Sequence, residues 1–492
     1  MTEIDFDKLE KAEAVPNPDS MLETFRAIGY SLETAIADII DNSITAKSKG
    51  VWIDFEWKGK DSWISIRDNG HGMKSDDIIK SMKPGCKNPL HPRESNDLGR
   101  YGLGLKTASF SQGRQLTVFS KAEKSDSSYW TWDLDFVKKE KKWLLLKLLP
   151  NNNYFSEQLQ KSKSGTIVIW NKLDRLVGNT SQNNQEDLKQ FLSAMDRVKK
   201  HLSIVFHRYL SDSRIKIYYK ERELEGWDPF LAKMESTPSA SEKLHNGRVI
   251  IRGYVLPHKT RLTESQYKEA EGIYGWSGHQ GFYIYRNDRL LIFGDWLGIF
   301  RKEDHYKLIR ISIDLPNDLD NEWQIDIMKS IARPPAFLKE QIRSYAMKVR
   351  SRGVEVFRHR GKTVRAHSDR EFIPLWIDHK RDNKWFYKIN REHPLIKKSV
   401  GDDRSIKKAV ETILRFIEET IPVKSIYIKE SEDSENQGKP FEGINHNEIK
   451  KLMNELYLNL IEDGYSNDDA LSVILNIEPF NIFPHYLISA QE

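Results

Sequence analysis

Apolar positions Leu32, Ile36, Ile39 and Ile40 recur at helical spacing behind Ser31, a residue suited to cap a helix that runs to about Thr45. A shorter helical stretch, Asp19 to Ile28, precedes it and stops at Gly29. Val51–Trp57 and Trp63–Arg67 alternate like strands around the turn Lys58-Gly59-Lys60. A loop from Asp68 to Met73 follows, then a short helix near Asp76–Met82. Residues 83–98 are proline-rich and read as a mobile lid. The next helix opens at about Gly104 and ends near Gly113. Strands are expected at 115–121, 128–135, 142–149 and 165–170. Helices and a run of strands in one layer each predict an α/β sandwich.

Further along, polar residues from Asn171 to about Gln185 suggest a boundary, and a long helix at about 186–210 opens a second region. Strand-like runs at 214–219, 247–255, 281–286 and 307–314 continue it. Residues 336–365 are helical in pattern and basic. A small strand pair is expected around Trp376 and Trp385–Ile389, and Arg404–Ile417 gathers Ile406, Val410, Ile413, Leu414 and Ile417 on one helical face. Two helices, near 447–462 and 466–476, close the chain. The expected division is an arm over 1–18, a first domain over 19–180, a second over 181–340, a basic helical segment over 341–370, a small α/β region over 371–429, a linker over 430–440 and a helical region over 441–492.

Composition narrows the classes. With 492 residues the chain is too long for one core. No run reaches the ~18 apolar residues of a membrane span. The N-terminus is acidic and carries no signal-peptide pattern, so a cytoplasmic location without membrane contact is expected. Cys86 is the single cysteine, which excludes an internal disulfide and a cysteine-based zinc cluster. A formal charge of +5 permits nucleic-acid binding without arguing for it.

Three segments carry chemistry. Asp38 and Asn42 stand four apart on one helix and share a face. An amide oxygen suits Mg2+, and a carboxylate one turn earlier suits deprotonation of a water; a solvated polar face is the plain alternative. Asp68-Asn69-Gly70-His71-Gly72-Met73 follows a strand directly. A carboxylate there can accept from an exocyclic amine such as adenine N6, and the glycines let backbone approach a ring; a bare turn also explains the string. Gly99-Arg100-Tyr101-Gly102-Leu103-Gly104-Leu105-Lys106 leads into a helix whose N-terminus favours phosphate, with Lys106 adding charge. It is not a GxxxxGK[ST] loop, and the proline-rich stretch before it spoils a dinucleotide fingerprint.

In this order, with Gly165-Thr166 opening a later strand, these motifs resemble the GHKL ATPase superfamily, which includes gyrase, histidine kinases and MutL. Within it the chain is most similar to MORC ATPases and MutL-like ATPases of bacterial restriction and phage-defence loci. Ala35–Ala46, Gly102–Phe110 and Gly281–Leu290 carry that likeness, which reaches to about residue 340. The resemblance implies an α+β protein: an N-terminal α/β sandwich, a transducer-like α/β domain, and a mostly helical C-terminal region. It implies ATP with Mg2+ on Asn42; adenine at Asp68, Gly70, Gly72, Met73 and Thr166; and the triphosphate along Gly99–Lys106. Relatives carry Glu as the general base where this chain has Asp38, one methylene shorter, so slow hydrolysis is expected. Asp41 is an alternative but lies about 100° around the helix from Asn42. A transducer lysine reaches the γ-phosphate in relatives; Lys329 is the candidate here, with Lys106 and Arg100 as local competitors and a solvated surface lysine as the plain reading.

The resemblance further implies a homodimer gated by ATP that closes on DNA or a partner protein, in anti-phage defence, with other defence proteins met through 366–492. A nucleotide-gated binding module with little turnover and a chaperone-like protein remodeller are the rivals. Between Arg343 and Arg365 eight Lys/Arg stand against one acid, a local +7, so Lys348, Arg350, Arg352, Arg358, Arg360, Lys362 and Arg365 are candidate DNA contacts.

Overall fold

A computed structural model describes residues 9–85, 103–150, 152–232, 237–326, 328–329, 331–358, 373–381, 384–400, 404–426 and 446–480. The chain forms two compact units, Met1–Gly361 and Lys362–Glu492. The whole is a mixed α+β protein, as the pattern predicts.

The first unit opens with α1 (Pro18–Arg26) and α2 (Leu32–Thr45), whose N-cap Ser31 accepts from the Thr34 N–H. Strands β1 (Gly50–Glu56) and β2 (Trp63–Asp68) form an antiparallel pair, followed by α3 (Ser75–Met82) and α4 (Gly104–Gln112). Then come β3 (Gln115–Lys121), β4 (Ser128–Asp133), α5 (Leu134–Glu140), α6 (Asn152–Gln160), β5 (Gly165–Asn171), α7 (Gln185–Val205), α8 (His207–Ser211), β6 (Lys216–Tyr219) and β7 (Arg222–Glu223). Seven strands make one sheet in the order β4-β3-β5-β2-β1-β6-β7. Strand alternation sorts its two faces. Val51, Ile53, Ile64, Ile66, Val168 and Trp170 point into a core with Ile36, Ile40, Phe110 and Leu202. Trp63, Ile167 and Ile169 point the other way, against Phe155 and Leu159 of α6.

Two expectations are corrected. The boundary near 180 cuts through this core: Phe191, Met195 and Val198 of α7 belong to it, and β6 pairs parallel with β1. A register join between segments ~160 residues apart leaves no local signal. The strand expected at 142–149 is a single bridge, Leu146 to Thr131, and α6 was not anticipated.

A second, six-stranded sheet follows, from β8 (Thr237–Pro238), β9 (Glu242–Leu244), β10 (Val249–Val255), β11 (Gly281–Arg286), β12 (Arg289–Asp295) and β13 (Ile309–Leu315), with α9 (Glu264–Glu271) and α10 (Gly275–Gly278) between. Asn287 and Asp288, both at positive φ, make the tight β11–β12 turn. The basic stretch is not a separate segment: α11 (Ala336–Arg358) buries Leu338, Ile342, Tyr345, Ala346 and Val349 against this sheet.

Two histidines of the first unit are buried. Burial pushes His207, whose Nε2 meets the Tyr285 hydroxyl at 2.8 Å, down to about 4, and His279 down to about 3. Both stay neutral in the folded chain at pH values where an unfolded histidine, near 6.5, takes a proton. Stability is therefore full above pH 6.5 and is lost as pH falls toward 4, at about 1.4 kcal/mol per unit of depression for each ring. Melting followed by circular dichroism from pH 7.5 to 4.5 should show a falling midpoint, and His207→Gln should flatten the slope.

In the second unit a hairpin of β14 (Trp376–Arg381) and β15 (Lys384–Ile389) precedes α12 (Pro394–Val400) and α13 (Arg404–Thr420). Helices His446–Glu462 and Asn467–Leu475 pack around Ile449, Met453, Leu456 and Ile474. Of the apolar face expected on α13, Leu414 is buried, while Ile406, Ile413 and Ile417 are exposed. Among the described residues no helix is long and apolar enough to cross a membrane.

Candidate nucleotide site

Helix α2 places Asp38 toward the opening of α4. A Cβ built on Gly104 would sit 3.4 Å from Asp38 Oδ2, so the glycine leaves the carboxylate room at the helix N-terminus. Leu103 caps α4, and Gly104 and Leu105 start its first turn, where N–H groups lack intrahelical acceptors. Asn42, one turn beyond Asp38, is exposed.

Lys106 has a buried side chain, and its Nζ donates at 2.8 Å to the Ser81 carbonyl at the end of α3, which links α3 to α4. Gly99, Arg100, Tyr101 and Gly102 lie outside the described residues.

The residues expected to read a purine meet at the end of β2. Asp68 pairs in register with Thr166 of β5. The Gly70 N–H donates to its Oδ1 at 2.8 Å and the Ser43 hydroxyl to its Oδ2 at 3.2 Å. Burial raises the Asp68 carboxyl above its usual range, opposed in part by those donors. Ser120 ties the corner together: its Oγ lies 2.9 Å from Thr166 Oγ1 and accepts the Met73 N–H at 2.8 Å. Gly72 has φ +68°, and a Cβ there would fall 1.9 Å from the Lys121 carbonyl oxygen. Gly72→Ala should thus pull this corner apart and weaken ATP binding more than tenfold; filter binding of labelled ATP checks it, and unchanged affinity would show the corner does not read the base.

The second sheet delivers Lys329. In a loop between β13 and α11, with φ +54°, it sends Nζ to Asp38 Oδ1 at 2.9 Å and to Asp41 Oδ2 at 2.5 Å. Arg289, at the start of β12, brings its Nε to 3.3 Å from Asp41 Oδ2. All four side chains are under 10% exposed: Asp41 1%, Arg289 3%, Asp38 4% and Lys329 8%. Burial works to raise the Asp41 carboxyl, but the Arg289 and Lys329 charges outweigh it and hold it below its usual range. Tyr30 completes the group, donating at 2.8 Å to Asp38 Oδ2. Burial and the Asp38 charge push that phenol well above its normal value. Two acids and two cations balance, as a buried cluster requires.

Sequence reasoning missed Tyr30, Ser43, Ser120 and Arg289. Asn287-Asp288 between two apolar alternations could have revealed the hairpin that presents Arg289. Three of the candidate DNA contacts have described side chains. Arg350 lies over the rings of Tyr306, Phe300 and Trp296 at 3.7, 3.9 and 5.3 Å, which corrects its reading as a free phosphate ligand. Lys348 pairs with Glu242 at 3.0 Å and Arg352 meets Ser239 at 3.2 Å; both are exposed. The side chains of Arg358, Arg360, Lys362 and Arg365 lie outside the described residues.

A helix N-terminus, a buried carboxylate at a strand end and a buried lysine from beside the second sheet are the arrangement expected of a GHKL-class nucleotide domain. Residues 30–166 match the family described as histidine kinase-, DNA gyrase B-, and HSP90-like ATPase. The first domain belongs to that superfamily and is MORC-like within it. The chain is 31% identical over 119 residues to "ATPase morc-1" of Caenorhabditis elegans, covering 24% of this chain and 13% of that protein. It is 35% identical over 97 residues to "ATPase MORC2B" of Mus musculus, covering 19% and 9%. The mouse "MORC family CW-type zinc finger protein 3" is 30% identical over 90 residues, covering 18% and 10%. The chain thus matches about a tenth of the length of these curated relatives. A domain of this family implies ATP binding.

Proposed function

We propose that the protein binds ATP with Mg2+ and hydrolyses it slowly. The observation that carries this reading is Lys329 on Asp38: a cation from the second sheet lies against the carboxylate nearest the α4 N-terminus. Adenine is read by Asp68 and Thr166, and the triphosphate runs to the N–H groups at Gly104 and Leu105. Lys329 leaves Asp38 for the γ-phosphate oxygens. Asp38, freed, accepts a proton from water as its oxygen attacks the γ-phosphorus, while the β–γ bridging oxygen departs on ADP.

The donor set fits Mg2+. Mg2+ characteristically takes few protein oxygens and the substrate's phosphates, and Asn42 offers an exposed amide oxygen one turn beyond Asp38. The exposed Asn42 amide would hold it, and the ion would neutralise charge on the triphosphate. Phosphate release should stop on removal of divalent cations with EDTA and resume with added Mg2+. Release that continues in EDTA would overturn the metal assignment.

A reading with little turnover is favoured by one fact: Asp38 is short and doubly held, by Tyr30 and Lys329. Single-turnover hydrolysis separates the two. We further propose that ATP gates homodimerisation around DNA or a partner protein, in anti-phage defence. The support is the resemblance, and the exposed Arg343, Lys348 and Arg352 on α11.

A further inference from the structure

The outer face of the first sheet carries a cavity remote from the α2–α4 layer. Trp52 and Arg67 are cross-strand partners in β1 and β2, and alternation turns both away from the core that takes Ile53 and Ile66. The Arg67 guanidinium lies 4.0 Å from the centre of the Trp52 ring, which itself stacks on Tyr218 at 5.3 Å and 8°. Beside this stack is a cavity of about 850 Å3, bordered by Arg67, Tyr154, Lys161, Lys163 and Ser164. That volume lies in the range of small-molecule sites, roughly 300–1,000 Å3.

Its chemistry is anionic recognition. Three cations line it against one acid among the described lining residues, Glu157. Arg67 Nε is buried and has no hydrogen-bond partner among the described residues. A guanidinium donor left unpaired is costly, and phosphate supplies the acceptor it lacks. Tyr154 is 44% exposed and offers a ring to a planar base.

The wall of this cavity is also the back of the purine-reading loop. Ser164 Oγ donates at 2.7 Å to the Gly70 carbonyl. Asn69, also on the wall, accepts from the Lys49 and Gly50 N–H groups at 2.9 and 2.8 Å. Asn69 follows Asp68 directly, and the Gly70 N–H donates to the Asp68 carboxylate.

We propose that this cavity is a second binding site for a nucleotide-class ligand, free or at the end of a strand. Phosphate lies against Arg67, Lys161 and Lys163, with the base on Tyr154, and occupancy is coupled to the first site through Ser164 and Gly70. By linkage, each ligand alters the other's affinity by the same factor.

Equilibrium dialysis of the full chain with labelled ADP tests this. Wild type should bind two ADP per chain. Arg67→Gln should bind one, its second affinity falling about tenfold or more. Lys161→Glu with Lys163→Glu, both on exposed side chains, should do the same without disturbing the fold. A labelled single-stranded oligonucleotide that binds Asp68→Ala but not Arg67→Gln identifies the strand end as the source; failure of that oligonucleotide with two ADP still bound identifies the free nucleotide. One ADP per wild-type chain, or two in the double-lysine variant, overturns the proposal. Two in Asp68→Ala would instead sink the purine-site assignment and leave this one standing.

Discussion

Asp38→Asn should keep ATP binding and lose turnover by about a hundredfold or more, the usual share of a general base. The amide preserves shape: its one oxygen can accept from Lys329 on the Oδ1 side while its NH2 group donates to the Tyr30 hydroxyl oxygen on the Oδ2 side, so the α2–α4 contact survives. What it loses is proton affinity. Charge argues in the same direction for binding. The cluster of Asp38, Asp41, Lys329 and Arg289 is balanced in the native chain. Removing one acid leaves a surplus cation facing an incoming triphosphate, so ATP affinity should hold or rise. Asp41→Asn supplies the control. Asp41 is held by Arg289 as well as Lys329 and is 1% exposed, so it serves the ion pairs. Its loss should lower the melting point while leaving measurable hydrolysis. Single-turnover release of labelled phosphate checks both variants. Unchanged turnover in Asp38→Asn would remove that residue from the role.

How much of this was legible in the sequence follows from how local each feature is. Asp38 with Asn42 is one helical turn, Asp68 with Gly70 one strand end, and Gly104 the start of one helix; each is visible in a window of a few residues. Their convergence came from motif order, which resemblance supplied. Lys329 lies 291 residues from Asp38, and spacing alone could not bring it there. Arg289 was invisible for a different reason. At the edge of a tight turn a basic residue looks solvent-facing, and only the packing of β12 beside α7 turns it inward. Arg350 failed in the opposite sense. The helical pattern of α11 fixes Leu338, Ile342 and Val349 as inward, which leaves Arg350 beside the buried face, over the rings of Phe300 and Tyr306. A charge count along a helix does not say which charges reach solvent.

Lys329→Ala should reduce both stability and turnover, and a second substitution should separate the two losses. Removing Lys329 leaves Asp38 and Asp41 facing Arg289 alone. Breaking one partner of a buried ion pair costs about 3–5 kcal/mol, because a charge is stranded. The melting point of the first unit should therefore fall by several degrees. Pairing Lys329→Ala with Asp41→Asn restores balance, one acid against one cation, and most of the lost stability should return. Turnover should not. The γ-phosphate would still lack the cation that leaves Asp38 to meet it, and no rearrangement of the two remaining partners supplies another: Arg289 stays anchored on the Leu290 carbonyl at 3.0 Å. If hydrolysis recovered together with the melting point, Lys329 would be a structural cation only, holding the second sheet against α2, and the γ-phosphate would have to be met by another group.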